Sequence, residues 1–168
     1  SADNVAGTCP IVITRTYTVE DECGNSVSFD HIIRIDDNTN PVATGSLNDT
    51  NVEGCTVADA PAAVSTVAAL EALAGDLEVS DNCTGDATLA VSSTDNVAGT
   101  CPIVITRTYT VEDECGNSVS FDHIIRIDDN TNPVATGSLT DTNIEGCTVA
   151  DAPAALTTVA ALEALPGD

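Results

Sequence analysis

The 168-residue chain carries 27 carboxylates against four arginines and no lysine, a formal net charge of −23 at pH 7. That balance excludes nucleic acid and anionic membrane as partners, leaves cations as the natural counterpart, and rules out isopeptide cross-links, which need lysine. Apolar residues make up 42%, but only Tyr17, Phe29, Tyr109 and Phe121 are aromatic, so the core is expected to be thin and β-branched and to need staples.

Ser1–Asp76 reappears as Ser93–Asp168 at an offset of 92 residues, with six differences in 76 aligned pairs: Ala2/Thr94, Asn48/Thr140, Val52/Ile144, Val64/Leu156, Ser65/Thr157 and Ala74/Pro166. The unit of argument is therefore the repeat, and the chain reads as a segment of a tandem array. Boundaries are expected at Asp36–Pro41 and Asp128–Pro133, because Pro ends a ladder and the polar run before it resists burial. Residues 1–41 then close one repeat, 42–133 form a complete one and 134–168 open the next. In chain order the complete unit predicts a short strand near Ala43–Leu47, a turn-rich Asn48–Gly54 and a strand through Cys55–Val57. Thr66–Leu73 has Val67, Leu70 and Leu73 at helical spacing, with Gly75 beyond it, and predicts a two-turn helix. Strands follow at Leu77–Ser80 and Thr88–Ser92, separated by an acidic loop. In Ile103–Val111, Ile103, Ile105, Tyr109 and Val111 share one face with Arg107, which is expected to reach a carboxylate near the sheet edge. Asp113–Asn117 makes a turn, and Val119, Phe121, Ile125 and Ile127 alternate down the return strand. About seven short strands in ~90 residues predict an all-β two-sheet sandwich, one per 92-residue period, with one short helix.

Four cysteines fall in each period, at Cys55, Cys83, Cys101 and Cys115, and no CxxC pair occurs. The pattern fits a disulfide framework and an oxidising compartment better than a zinc site. No apolar run reaches the ~20 residues of a membrane helix, so no membrane insertion is expected in this segment, and secretion and anchoring signals are expected outside it.

The run Thr-Tyr-Thr-Val-Glu-Asp-Glu-Cys-Gly-Asn, the return strand ending in Ile-Asp-Asp-Asn-Thr-Asn-Pro, and the upstream Ser-Asp-Asn-Cys resemble hyalin-repeat (HYR-like) modules of immunoglobulin-like fold. The tandem arrangement looks most like the arrays of giant cell-surface adhesins in gliding Bacteroidetes, of the SprB type. The resemblance implies extracellular spacer or adhesion modules without enzymatic activity. Neighbouring repeats of the same chain are then the first partners, with surface glycans or proteins as further ones.

In such a sandwich the B–C and F–G loops share one end, while the start of the second strand and the approach to strand F lie at the other, which suggests bridges between Cys83 and Cys115 and between Cys55 and Cys101, with Cys9, Cys23 and Cys147 pairing elsewhere. A calcium ion is expected where a linker meets the next repeat. Asp36, Asp37, Asn38 and Asn40 would converge there with Asp81 and Asn82 of the B–C loop and Asp113 and Asn117 of the F–G loop. Asp128, Asp129, Asn130 and Asn132 would serve the following junction. Equally open at this point, Asp113 and Asn117 only cap a turn and the linker acids are solvated.

Chemistry finds little footing. His31 and His123 occur once per repeat, each within Asp-His-Ile-Ile and without a nucleophile context. A glycosidase cleft would want aromatic platforms that the chain lacks. Two functions of different class remain: a structural spacer or stalk of an extracellular, cell-surface filament, and a multivalent adhesive module. Near-identity through loops and strands alike favours the spacer.

Overall fold

The computed structural model describes residues 1–167 and falls into two compact units, Ser1–Asn130 and Thr131–Asp168. The chain is all-β and immunoglobulin-like, with few and short helices. In the first unit, β1 (Ala2–Ala6), β2 (Ile11–Glu20) and β3 (Ser26–Ile35) form an antiparallel meander. A second set follows: β4 (Val42–Thr44), β5 (Thr50–Glu53), α1 (Val67–Glu71), β6 (Glu78–Ser80), β7 (Ala90–Ala98), β8 (Ile103–Glu112) and β9 (Ser118–Asp128). β7, β8 and β9 repeat the meander in the same register: Arg107 stands opposite His123 as Arg15 stands opposite His31. β5 adds to this sheet in parallel beside β9, giving the order β5-β9-β8-β7, while β4 and β6 pair as a small second sheet.

The period-2 pattern of β8 explains the layering. Ile103, Ile105, Arg107, Tyr109 and Val111 are all buried, and their neighbours of opposite parity are half-buried or exposed. Tyr109 and Val111 pack with Val67 and Leu70 of α1, Leu77 and Val79 around β6, and Leu89. Ile103 and Ile105 pack with Ile125 and Ile127, flanked by Val52 and Ala60. Each fully buried aliphatic contributes about 1.5–3 kcal/mol relative to exposure. Between the two clusters sits Arg107, which reaches Asp95 on edge strand β7 through two contacts of 2.8 Å and the Pro61 carbonyl at 2.8 Å, as its place on an apolar face suggested. The Tyr109 hydroxyl accepts from the Val64 amide at 3.3 Å. Where no second layer covers the same meander, as in β1–β3, Phe29 is 55% exposed, while its counterpart Phe121 packs against the core.

α1 lies inside its predicted span, with the Thr66 hydroxyl accepting from the Ala69 amide as N-cap. The strand expected at Cys55–Val57 is not there. The Asp59 carboxylate accepts from the amides of Cys55 and Thr56 and from the Thr56 hydroxyl, winding Val57–Asp59 into a 3-10 turn. The strand instead occupies Thr50–Glu53, within the stretch read as turns, because Thr50 and Val52 face inward while Asn51 and Glu53 face out. The copy thus has six strands. The second unit repeats the 3-10 turn at Val149–Asp151 and the helix as α2 (Val159–Glu163).

Candidate functional site at the linker between copies

β3 ends at Ile35, and its neighbour β2 begins two residues after Cys9, so the linker acids and Cys9 leave the first sheet at the same end. That end meets two loops of the following copy, 81–86 and 113–117. The loops are preorganised by their own carboxylates. Asp113 Oδ1 accepts from the amides of Cys115 and Asn117 at 2.8 Å each, and Asp81 Oδ2 accepts from those of Cys83 and Thr84 at 2.9 and 2.7 Å. Gly116, at φ +88°, supplies the left-handed residue that the tight turn needs.

Asn117 ties linker to loop. Its Nδ2 donates to the main-chain carbonyl of Asp37 at 3.0 Å and to Asp113 Oδ2 at 2.7 Å. Asn82 Nδ2 lies 3.4 Å from Asp37 Oδ1 and 2.9 Å from the Cys83 sulfur. Oxygens of Asp37 and Asp113 sit within 4.8 Å of each other. Burial raises the Asp113 pKa, but donation from the Asn117 side chain and from the turn amides outweighs it, so the group titrates below the ordinary carboxylate range. Burial, then the Asp37 and Asp81 carboxylates, push the Cys83 thiol up.

The linker therefore does meet both expected loops: Asp37, Asn82, Asp113 and Asn117 converge, and Asp81 holds the turn beside them. Asp36 stands slightly apart, its Oδ1 3.4 Å from Cys9 Sγ, and Asn38 and Asn40 are exposed. Asp128, Asp129 and Asn130 lie at the opposite end of the sandwich. There Asp128 contacts Cys101 at 3.4 Å, Asp129 contacts Cys55 at 3.7 Å, and Asn130 donates to Glu53 at 3.0 and 3.2 Å. Asn132 falls in the second unit.

The disulfide differs from expectation. Cys115 bonds to Cys9 across the junction, over a sequence separation of 106, and neither Cys83–Cys115 nor Cys55–Cys101 forms. The short linker brings the first copy's Cys9 loop onto the 113–117 turn, where Cys9 and not Cys83 is bonded to Cys115. Cys83 still lines the same open cleft of about 380 Å³, together with Cys9, Asp36, Asp37 and Thr84. Sequence reasoning missed Cys9 and Glu53. Cys9 was assigned a partner elsewhere, and Glu53 lay in a segment not read as a strand.

Residues 56–127 match the family model of the HYR-like domain with 4 cysteines. No curated protein and no solved structure matches the chain. The match supports a HYR-like domain over those residues, which include the loops 81–86 and 113–117. HYR-like domains are extracellular, adhesion-related repeat modules and not enzymes. No helix among the described residues is long and apolar enough to cross a membrane. His123, the residue nearest to a catalytic candidate, is buried and shares a 2.9 Å hydrogen bond with Thr50 across β5 and β9.

Proposed function

We propose that this chain is part of the spacer stalk of a cell-surface filament, built from repeats of the extent Val42–Pro133 that dock head to tail. The observation that carries the reading is the junction itself, where a linker is held by Asn117 and a covalent bridge joins one copy to the next. A binding array needs only presentation of each module, whereas a stalk needs each module fixed to its neighbour. Repetition without a variable patch supports the same role, and the resemblance to arrays of cell-surface adhesins in gliding Bacteroidetes supports a location at the cell surface. Deleting internal copies from the parent protein should shorten the fibre and leave adhesion intact. Micromolar binding of surface glycans or proteins by the purified chain would instead favour the adhesive module.

Calcium is part of this reading. Asp37 Oδ2 and Asp81 Oδ1 are buried without a hydrogen-bond partner, and Asp113 lies beside Asp37. A buried, unpaired carboxylate oxygen of Asp37 beside the Asp113 carboxylate suits calcium's preference for oxygen ligands. Asp37, Asp81 and Asp113 would hold the ion with Asp36 nearby, and the ion would supply the positive charge that relieves their repulsion. Calorimetric titration should show calcium binding to the chain and its loss in the Asp36→Ala/Asp37→Ala double variant. Equal binding by both proteins would remove the linker from the site.

A further inference from the structure

The 92-residue period lets both ends of a copy be placed on one linker. Asp36-Asp37 of the first linker corresponds to Asp128-Asp129 of the second. Seen from the copy that precedes it, the first aspartate of a linker contacts the Cys101-type sulfur: Cys101 lies 3.4 Å from Asp128, and Cys9 lies 3.4 Å from Asp36. The second aspartate contacts the Cys55-type sulfur, with Cys55 lying 3.7 Å from Asp129. Seen from the copy that follows, the same linker receives Cys115, already bonded to Cys9, and Cys83. The Cys83 sulfur shares the Asn82 amide with Asp37, at 2.9 and 3.4 Å.

Superposed by one period, a linker therefore gathers four sulfurs in two pairs. The Cys101 type and the following Cys115 type meet at the first aspartate. The Cys55 type and the following Cys83 type meet at the second.

We infer that each linker between successive copies is crossed by a second disulfide, joining Cys55 of one copy to the Cys83 position of the next, beside the Cys9–Cys115 type of bridge. All four cysteines of a period are then consumed, two toward each neighbour, and no bridge lies inside a copy. The five free thiols, Cys23, Cys55, Cys83, Cys101 and Cys147, are those whose counterparts under this pairing are not among residues 1–168. Cys83 wants a Cys55 type from an upstream copy, and Cys55 wants a Cys83 type from a downstream one. Formation of each bridge removes one proton from each of two thiols and passes two electrons to a disulfide-bearing oxidant, which leaves as a dithiol. The inference rests on head-to-tail docking of copies and is independent of whether the filament is a stalk or an adhesive array.

The test extends the full chain by one more 92-residue period at its C-terminus, with Cys23→Ser and Cys83→Ser, so that the only Cys83-type cysteine lies in the added copy. After oxidative refolding, peptides are mapped without reduction. The Cys55 peptide should appear linked to the added Cys83-type peptide and the Cys101 peptide to the added Cys115-type peptide, with Cys9–Cys115 retained. Val52 against Ile144 separates the Cys55 peptide from that of Cys147 by mass. A Cys55–Cys101 link, or alkylation of Cys55 in the folded extended chain, overturns the inference. Should the extended chain fail to refold, the 168-residue chain decides: five alkylated thiols support the pairing, and a Cys83–Cys115 or Cys55–Cys101 bridge sinks it. Ligand binding by the purified chain would refute the stalk while leaving these linkages as they are.

Discussion

Asn117 and Asp37, 80 residues apart, are joined by a 3.0 Å hydrogen bond from the Asn117 side chain to the Asp37 main-chain carbonyl. The same amide group braces Asp113 at 2.7 Å, so one side chain shapes the turn and holds the linker on it. Replacing it uncouples the two.

Asn117→Ala should lower thermal stability by about 1–2 kcal/mol, the range for a lost hydrogen bond whose acceptor stays partly buried. More tellingly, linker residues 36–40 should become the first site of limited proteolysis. An unchanged cleavage pattern would show that the linker is held by other contacts.

Reduction of Cys9–Cys115, or Cys115→Ser, should release the β1–β3 sheet from the sandwich. Closing a loop of 106 residues is worth about 4–5 kcal/mol in the chain-entropy account. Hydrogen exchange in β1–β3 should therefore accelerate far more than in β7–β9. Cys23→Ser, which removes a free thiol of the same sequence context, is the control and should leave both unchanged.

Asp95→Ala strands a buried guanidinium. Arg107 keeps 7% of its side chain in solvent and Asp95 34%, so the cost should be about 2 kcal/mol, below the about 3–5 of a fully enclosed pair. The matching Asp3→Ala breaks the pair with Arg15, whose side chain is 35% exposed, and should change stability much less. Chemical denaturation of the two variants checks the contrast.

Burial, and then the charge of Arg107, hold the His123 imidazole below its ordinary value of 6.5. The unfolded chain thus binds a proton there before the folded one does. Stability should be fully present above about pH 6.5 and decline as pH falls toward the folded value, by no more than about 1.4 kcal/mol per pH unit. Asp59 and Asp95, both held below 3.8, lose their contribution only in more acid solution. Melting curves between about pH 7.5 and 5 should flatten in His123→Gln; an equally steep decline would remove His123 as its origin.

The long strands were legible because Ile103–Val111 and its return carry a strict period of 2, and the helix because Thr66 caps a run at helical spacing. β5 was not, since four residues with two inward positions are too few to announce a strand, and its parallel partner lies some 75 residues away. An immunoglobulin-like topology, once taken from the resemblance, sets a linker beside the next copy's B–C and F–G loops, and of the acids and amides named for that place Asp37, Asn82, Asp113 and Asn117 lie together. The cysteine pairing was not legible. It depends on how far a short linker lets one copy advance onto the next, and that distance is written in no local pattern.

The parallel alignment of β5 with β9 also bears on mechanics. Thr50–Glu53 lies near the start of its copy and Ile125–Asp128 at the end, and the two run side by side in the same direction. Pull on the copy from its two termini, and the hydrogen bonds between these strands are loaded along the strand axes, in shear, so that they must fail together and cannot peel apart singly. A fibre of such units would yield in steps at high force, and Val52→Pro, by removing a strand donor, should lower that force in single-molecule stretching while leaving β7–β9 paired.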